Sequence, residues 1–544
     1  MKASTIKTYT SVHTWTGLGM GMVLFIAFYA GALTMFLEDI GEWAERGAHA
    51  EEVYGGLTQA QTLVDALISA RPEAADSFTL HLGHEQGHGH RIYWYELLED
   101  GRGDSHSFRL SDGGELLPID ATSVLPGFIN ELHFTAGLPS SISYYTLGIA
   151  CMIYSLALIT GLIVFTPNFL KDLFIIRSPR NPKRFWLDTH NVVGVISLPW
   201  HFMFALSSFV LTIGFVVALP IQTLALPDLG LDELAAQSTG RLLPPPPANV
   251  AATMLPVDEL IERASSALAG LEPSDLTYHH AGDQNGTVQV LGRTKGDTTL
   301  MPRSAVMLSV VTGHVIDTFD PRDGAVGPMT FNGLLALHFG NYGGYVVRWT
   351  YFLLGLAGAF LFYSGNLLWI ERHRKRRQPE QKKDARWFAK LNSGVCIGCM
   401  AGVSAAFLAA RPTPPAVDQA HAIELAYFGV FFLSIGWCLV RPVAAGARDM
   451  LYVTATLTAL IPIVDTALFE RAPWQAAMQA QQGVLAVQLV ATLGTLGFWR
   501  LGKLVERRGM EGDPNSVWAL PGGSDQRRLI QTDVDRPSEA RTIV

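Results

Sequence analysis

The sequence predicts a mainly α-helical integral membrane protein with about eight transmembrane helices and two small α+β domains outside the membrane. Three observations lead to this fold class. Of the 544 residues, 49% are hydrophobic and only 16% are charged, whereas a soluble domain carries about 25% charged residues. Apolar runs long enough to cross a bilayer recur along the chain. Two long polar segments separate the first four runs in a duplicated span–domain–span order.

A membrane-spanning helix needs about 20 mainly apolar residues. Eight segments meet this requirement, at about 13–37, 142–166, 190–219, 345–370, 389–410, 423–440, 450–469 and 483–501. The first is too long for the apolar part of a cleaved signal peptide, so we expect it to be retained. The chain accordingly divides into span one (1–37), an outer domain (38–130), spans two and three (131–219), a second outer domain (220–335), span four (336–375), a membrane region with spans five to eight (376–510) and a tail (511–544).

Basic residues follow every even-numbered span. They occur in the connection 167–189, in the stretch "ERHRKRRQPEQKKDARWFAK" (371–390), and after span eight from Arg500 onward. Because basic loops stay in the cytoplasm, both termini and the tail should be cytoplasmic, and the polar segments should lie on the other face. The net charge of −8 gives no reason to expect nucleic-acid binding.

The two polar segments resemble each other in pattern. Each begins with a helix-like stretch, "LTQAQTLVDALISARPEA" (57–74) in the first and "VDELIERASSALAG" (257–270) in the second. Each continues with short β-like runs separated by Gly and Asp, over 90–119 and 286–319. We therefore expect each to form a small α+β domain.

Four histidines recur at equivalent places in the duplicated unit. His13 and His190 each begin a span in the pattern His-x-x-x-Gly, and His133 and His338 each lie in a Leu-His-Phe motif just before a span. Equivalent spans run in the same direction. His13 and His190 should therefore share a depth near the cytoplasmic face, and His133 and His338 a depth near the outer face.

Two imidazoles at one depth on facing helices can supply both axial ligands of a haem iron. A glycine one turn away lets a flat macrocycle approach the backbone. A single interfacial histidine is more often an anchor or a packed residue, but four histidines repeated in pairs favour haem. Two such haems would connect the two faces of a membrane core about 30 Å thick.

Two further sets of histidines have less support. His201 lies eleven residues beyond His190, about 16 Å along a continuous helix. It would sit near the membrane centre, where an ionisable residue is expected to be functional, as a haem ligand, as a haem contact or as a lining of the path. The cluster "HLGHEQGHGH" (81–90) offers His84, His88 and His90 as a weak metal site, with a solvated loop as the alternative.

The chain also resembles a known family, the PepSY-associated transmembrane helix proteins, which are iron-regulated inner-membrane proteins of Gram-negative bacteria. The resemblance covers roughly residues 1–375 and rests on "HTWTGLGMGMVLFIAFYAGAL", "ELHFTAGL", "DTHNVVGVISLPWHFMFALSS" and "ALHFGNYGG". Members are similar to haem-containing ferric-siderophore reductases. The resemblance implies an inner-membrane location, two PepSY-like periplasmic domains, and two b-type haems with His13, His190, His133 and His338 as axial ligands.

The first functional hypothesis is therefore a transmembrane ferric-chelate reductase, an inner-membrane dihaem b-type oxidoreductase that reduces ferric iron, as a ferric siderophore, in the periplasm. No Rossmann or Walker pattern follows a strand. The electron donor would then be a partner reductase, a reduced flavin or a membrane quinol. The alternative is a non-enzymatic, membrane-anchored PepSY protein with a binding or regulatory role in iron uptake. A transporter is disfavoured because the spans contain few acidic residues, mainly Glu424 and Asp465.

Overall fold

The structure is a computed structural model. It describes residues 3–44, 56–83, 89–97, 103–111, 113–119, 124–169, 177, 182–297, 299–300, 303–323, 326–373, 381–411, 418–468, 473–478 and 482–520. These residues belong to two compact units, which are described separately. The helical unit comprises Met1–Glu45, Ser123–Ile213 and Tyr345–Val544, and the sheet unit comprises Arg46–Thr122 and Gly214–Gly344.

Helices account for most of the described chain. In chain order they are α1 (Ala3–Thr34), α2 (Leu37–Ala44), α3 (Gly56–Ala70), α4 (Leu125–Thr135), α5 (Ser140–Phe165), α6 (Pro182–Ile196), α7 (Leu198–Ala225), α8 (Leu231–Thr239), α9 (Val257–Ala267), α10 (Val326–Phe339), α11 (Gly344–Arg372), α12 (Lys383–Ala409), α13 (Gln419–Val440), α14 (Val443–Leu468), α15 (Pro473–Met478) and α16 (Gln482–Glu511). The strands are β1 (Ser77–His81), β2 (Arg91–Leu97), β3 (Gly103–Leu110), β4 (Leu116–Pro118), β5 (Leu271–His279), β6 (Thr287–Thr294), β7 (Ser304–Ser309) and β8 (Val315–Phe319).

Within the described residues, seven helices are long and apolar enough to cross a membrane, namely α1, α5, α11, α12, α13, α14 and α16. The pair formed by α6 and α7 also passes this test, but the two helices meet at an angle of 68°. The predicted number of eight spans is therefore reached if this bent pair counts as one span. Much of the basic connections, including Lys171 and Arg180, and residues 521–544 of the tail lie outside the described residues.

The bend between α6 and α7 corrects the sequence analysis. The expected third span was one straight helix, which placed His201 about 16 Å beyond His190. Pro199 lies just after the break, and a proline has no N–H to donate to the carbonyl four residues earlier and clashes with it. At the break, the Ser197 hydroxyl donates to the Val193 carbonyl at 2.7 Å. His190 and His201 therefore lie on two differently directed helices.

A buried polar cluster joins the helices of the C-terminal region to α2. Asp465 of α14 accepts a hydrogen bond from the indole N–H of Trp43 at 2.6 Å and one from the Gln488 side chain at 3.2 Å. Arg411, which follows α12, forms an ion pair with Asp465 and stacks over the Trp43 ring at 3.5 Å. Asp465 is completely buried. We call Trp43, Arg411, Asp465 and Gln488 the Asp465 cluster.

The sheet unit contains one antiparallel sheet of eight described strands in the order β4-β3-β2-β1-β5-β6-β7-β8. The first polar segment supplies β1–β4 and the second supplies β5–β8. The two sets meet edge to edge where β1 pairs with β5, with Thr79 opposite Thr277. Phe78, Leu80, Leu276 and Tyr278 alternate along these two strands and are buried in one core, as expected for an antiparallel sheet with one covered face.

Side chains also tie β1 to β5. His81 donates to the Asp275 carboxylate at 2.8 Å, and the Ser274 hydroxyl donates to the same carboxylate at 2.8 Å. Partial burial raises the pKa of Asp275, but these hydrogen bonds and the nearby Arg303 outweigh it and hold the pKa below its ordinary value. The ionised Asp275 therefore stabilises the junction between the two halves of the sheet.

An Asp275→Asn variant should loosen this junction by about 1–3 kcal/mol, because a hydrogen bond to a charged group is lost. The depressed pKa means that the ionised carboxylate stabilises the fold above its ordinary pKa of 3.8, and that this contribution disappears as the pH falls through the folded-state pKa. Hydrogen exchange of the β1 and β5 amides in the full-length protein at neutral pH measures the effect. Asp317→Asn, at an exposed position of β8, is the matched control. Equal protection of these amides from hydrogen exchange in the two variants would contradict the stabilising role of Asp275.

Candidate functional site

His13 and His190 face each other in the helical unit. His13 lies on α1 and His190 on α6, and their ring centroids are 6.3 Å apart with the planes inclined by 71°. Two imidazole nitrogens bound to opposite sides of one metal, each at about 2.0 Å, hold their ring centres about 6 Å apart. The structure thus brings together the first histidine pair predicted from the repeat, at a separation at which both rings could bind one metal ion.

Hydrogen bonds fix which nitrogen of each ring carries the proton. His13 Nδ1 lies 2.8 Å from the backbone carbonyl of Ala157. Because a carbonyl only accepts, Nδ1 must be the donor, and Nε2 of the neutral ring keeps its lone pair. His190 Nδ1 lies 3.0 Å from the Ser364 hydroxyl. That hydroxyl already donates to the Leu361 carbonyl at 3.0 Å, so His190 Nδ1 must also donate.

His133 makes the same kind of Nδ1 hydrogen bond, near the other end of α1. His133 lies on α4, and its Nδ1 donates to the backbone carbonyl of Ala27 at 2.8 Å. Metal-binding histidines almost always donate their second ring nitrogen to a carbonyl, a carboxylate or water, which orients the ring and leaves the other nitrogen for the metal. His13, His190 and His133 all have this arrangement.

Each of these rings packs against a glycine on a neighbouring helix. An added Cβ would lie 2.8 Å from His13 Cε1 at Gly161, 2.6 Å from His133 Nδ1 at Gly31, and 3.5 Å from His190 Cε1 at Gly365. Gly161 and Gly365 occupy equivalent places in the repeat, one after Thr160 and the other after Ser364. The duplication therefore includes the glycine against which each ring packs as well as the histidine itself.

His201 forms a separate polar site on α7. Its Nδ1 lies 2.5 Å from the Tyr154 hydroxyl, and its ring packs on Phe28 with a centroid distance of 5.7 Å. The side chain is buried, and its Nε2 has no hydrogen-bond partner among the described residues. If Tyr154 accepts the hydrogen bond, Nε2 has a free lone pair. A ligand role for His201 therefore stays a prediction.

The remaining predicted residues have different surroundings. His338 lies near the end of α10 in the sheet unit, so its pairing with His133 stays a prediction. His84 and His88 lie outside the described residues. His90 is buried, accepts from the backbone N–H of Gly83 at 3.1 Å and donates to the carbonyl of Gly56 at 2.8 Å. Both of its ring nitrogens are thus engaged, so a metal would have to displace one of these bonds.

The His13–His190 pair offers as many protein ligands as a haem iron requires. Among the described residues, no three His, Cys, Asp or Glu side chains come together as a metal site. A haem requires only two protein ligands, because the porphyrin supplies the others. Gly17, one turn after His13, has no atom within 4 Å of an added Cβ, so there is open space beside that ring. His13 and His190 would hold the iron of such a group.

The tyrosine and serine partners of the histidines were not found by sequence reasoning. Ser364 and Tyr154 lie inside apolar spans and carry no local signature that relates them to His190 or His201. A partial signal exists for Ser364, because it precedes Gly365 as Thr160 precedes Gly161. The hydrogen bond of His13, by contrast, goes to a backbone carbonyl, which has no sequence signal.

Alanine usually stabilises a helix relative to glycine. Where a glycine packs against a histidine ring, we expect the substitution to destabilise the protein instead. Gly31→Ala would place a Cβ 2.6 Å from His133 Nδ1, so the ring must move and its bond to Ala27 is lost, at a cost of about 1–3 kcal/mol. Gly19→Ala, at an exposed position of α1 with no atom within 4 Å, should stabilise by up to about 1 kcal/mol. Thermal unfolding midpoints in detergent measure both. If the unfolding midpoints of the two variants shifted in the same direction, the packing described here would be contradicted.

Comparison with known proteins agrees with this architecture. The family model described as the PepSY-associated TM region matches residues 10–372, which include all four repeated histidines. The chain is also 22% identical, over 287 residues, to a protein of Pseudomonas aeruginosa that is itself named as uncharacterized. That alignment covers 51% of this chain and 70% of the relative. The family match covers more than half of the chain and confirms the resemblance found in the sequence. The protein is therefore a membrane protein of the PepSY-associated transmembrane-region family.

Proposed function

We propose that the protein is a dihaem b-type oxidoreductase of the bacterial inner membrane that reduces ferric iron in the periplasm, with a ferric siderophore as its substrate. The observation that carries the proposal is the facing His13–His190 pair, with a centroid distance of 6.3 Å and an Nδ1 hydrogen bond on each ring. Bound haem would supply reversible one-electron chemistry inside the membrane.

The chain's own residues orient the ligands. The Ala157 carbonyl and the Ser364 hydroxyl hold the His13 and His190 rings in one rotation and one tautomer. Such outer partners raise the basicity of the ligating nitrogen, and their loss typically reduces metal affinity or activity by about 10- to 100-fold. The glycines at 161 and 365 let the helices approach closely enough for these bonds to form.

A buried apolar cluster adjoins His201 through Tyr154 and Phe28. It consists of Leu24, Ala150, Tyr154, Leu158 and Ala205, with Phe28 and Phe362 packed against it. Apart from the Tyr154 hydroxyl, these side chains offer no polar group to water. We assign the outer haem to His133 and His338, with His201 as a contact or an alternative ligand.

In this proposal both termini lie in the cytoplasm and the sheet unit lies in the periplasm, as the basic connections indicate. The reductant is a cytoplasmic reductase, a reduced flavin or a membrane quinol. Reduction of ferric to ferrous iron weakens a siderophore complex, because hard oxygen ligands hold the more highly charged ion more tightly. The product would be ferrous iron released from its chelator.

The optical spectrum tests this proposal. The full-length protein, purified after expression with added haem, should show a Soret band, b-type bands after dithionite reduction and two haems per chain. In vesicles with the reductant inside, external ferric siderophore should yield ferrous iron, detected with a ferrous-specific chelator. A colourless protein would refute the proposal and favour a non-enzymatic binding or regulatory role.

A further inference from the structure

The helical unit contains a partly open apolar cavity of about 720 Å³ that involves none of the histidines of the candidate site. Its walls come from the outward faces of α1 and α11 on one side and from α12, α14 and α16 on the other. Leu367 and Trp349 both line it; they lie 18 residues apart on α11, about 27 Å of helix. The cavity is therefore elongated and nearly as long as a membrane core is thick.

The end of the cavity near Leu367 has a different chemistry from the rest. Trp518 lines it there, in a cluster with Leu367 and Ile370. The Trp518 side chain is only 6% exposed, and its indole N–H has no hydrogen-bond partner among the described residues. Arg508 also lines this end, 5.6 Å from the Trp518 ring, and is paired with the buried carboxylate of Glu371. An indole N–H and a guanidinium group thus lie near one end of an otherwise apolar cavity.

We propose that this cavity binds an isoprenoid quinol or quinone, with its ring at the Trp518 end and its tail along α11. The Trp518 indole N–H, unpaired among the described residues, requires an acceptor, and a quinone carbonyl would supply one. Glu371 already balances the charge of Arg508, so the site favours a neutral acceptor over the phosphate of a lipid. The volume lies within the range of about 300–1,000 Å³ typical of small-molecule sites.

The position of the cavity suggests what the ligand does. Phe185 and Trp186 of α6 also line it, and Trp186 packs against the cluster that contains Leu367 and Trp518. Trp186 precedes His190 by four residues, so the two side chains lie on the same face of the helix, one turn apart. A quinone ring bound against Trp186 would therefore lie about one helical turn from the His13–His190 pair.

The use of this ligand rests on the proposed function, whereas its binding does not. As reductant, one quinol would be oxidised to the quinone and release two electrons and two protons. The electrons reduce two ferric ions to ferrous ions, and the protons pass to water. The site would then be the entry point for electrons, and the C-terminal helices would be present to build it.

Photolabelling of the full-length protein in detergent tests the site. An azido-quinone probe should label peptides of α6, α11 and α16, and decylubiquinone should compete while phosphatidylglycerol should not. Leu356→Trp fills the cavity and should reduce labelling at least about tenfold. Leu353→Trp, on the exposed face of the same helix, should have no effect. Trp518→Phe should reduce labelling about threefold to tenfold, the loss of one hydrogen bond, and exposed Trp499→Phe should not.

The outcomes separate this inference from the proposed function. Labelling that persists in Leu356→Trp, or that phosphatidylglycerol displaces, would overturn the inference and identify the cavity as a lipid gap. The Trp518→Phe variant keeps the test valid if Leu356→Trp does not fold. Absorption spectra of the same samples report haem independently. Haem without quinone labelling refutes only the inference, and labelling without haem refutes only the proposed function.

Discussion

A His190→Ala variant is expected to lose one of two haems and to reduce ferric-chelate reduction at least about tenfold. The reason is the proposed shared site: an iron held by His13 and His190 would lose one of its two protein ligands, and loss even of an outer partner costs about 10- to 100-fold. Haem content per chain and the reduced absorption spectrum measure the first effect. Ferrous iron production in vesicles measures the second.

A double variant, His13→Ala with His190→Ala, gives a sharper test of whether the two histidines bind the same haem. If His13 and His190 bind one haem, then His13→Ala, His190→Ala and the combination should all retain about one haem per chain, because ligands of one site are not additive. If they served different haems, the double variant would lose both. His421→Ala, at an exposed position of α13, should retain both haems. Ser364→Ala should retain the haem with a weakened affinity, which separates orientation from ligation.

The repeat made the His13–His190 pair predictable, but it could not supply the contacts around it. Equivalent positions in a duplicated unit must be related in space, so two histidines at equal depth could be read from the sequence. Which carbonyl or hydroxyl meets each ring depends on the rotation of α5 and α11. That rotation is set by packing over the whole helix and has no local sequence signal.

The bend after α6 has only a partial sequence signal. Pro199 lies in the middle of an apolar run, and the length of that run favoured one straight span. Tertiary packing can accommodate a proline in a transmembrane helix, so the apolar pattern alone does not decide between a kink and a break. The continuous sheet of the sheet unit had no signal either, since the pairing of β1 with β5 joins strands nearly two hundred residues apart.

The C-terminal helices depend on the Asp465 cluster, and the second large effect is expected there. Asp465→Ala should destabilise the protein by about 3–5 kcal/mol, because it leaves the buried Arg411 charge without its partner. It also removes the acceptor for the indole of Trp43 and the amide of Gln488. The thermal unfolding midpoint of the full-length protein in detergent measures the effect.

Asp449→Ala on the same helix is the matched control. Asp449 pairs with Arg448 and Arg441 at more accessible positions, where ion pairs contribute about 0–1 kcal/mol. Replacing both charged partners, as Arg411→Met with Asp465→Leu, should recover most of the loss, because an apolar pair of similar size avoids burying an unpaired charge. A double variant as unstable as Asp465→Ala would show that the hydrogen bonds to Trp43 and Gln488, rather than the ion pair, hold α14 and α16 against α2. Either result would identify the contact that attaches the C-terminal helices to α2, which follows the histidine-bearing helix α1.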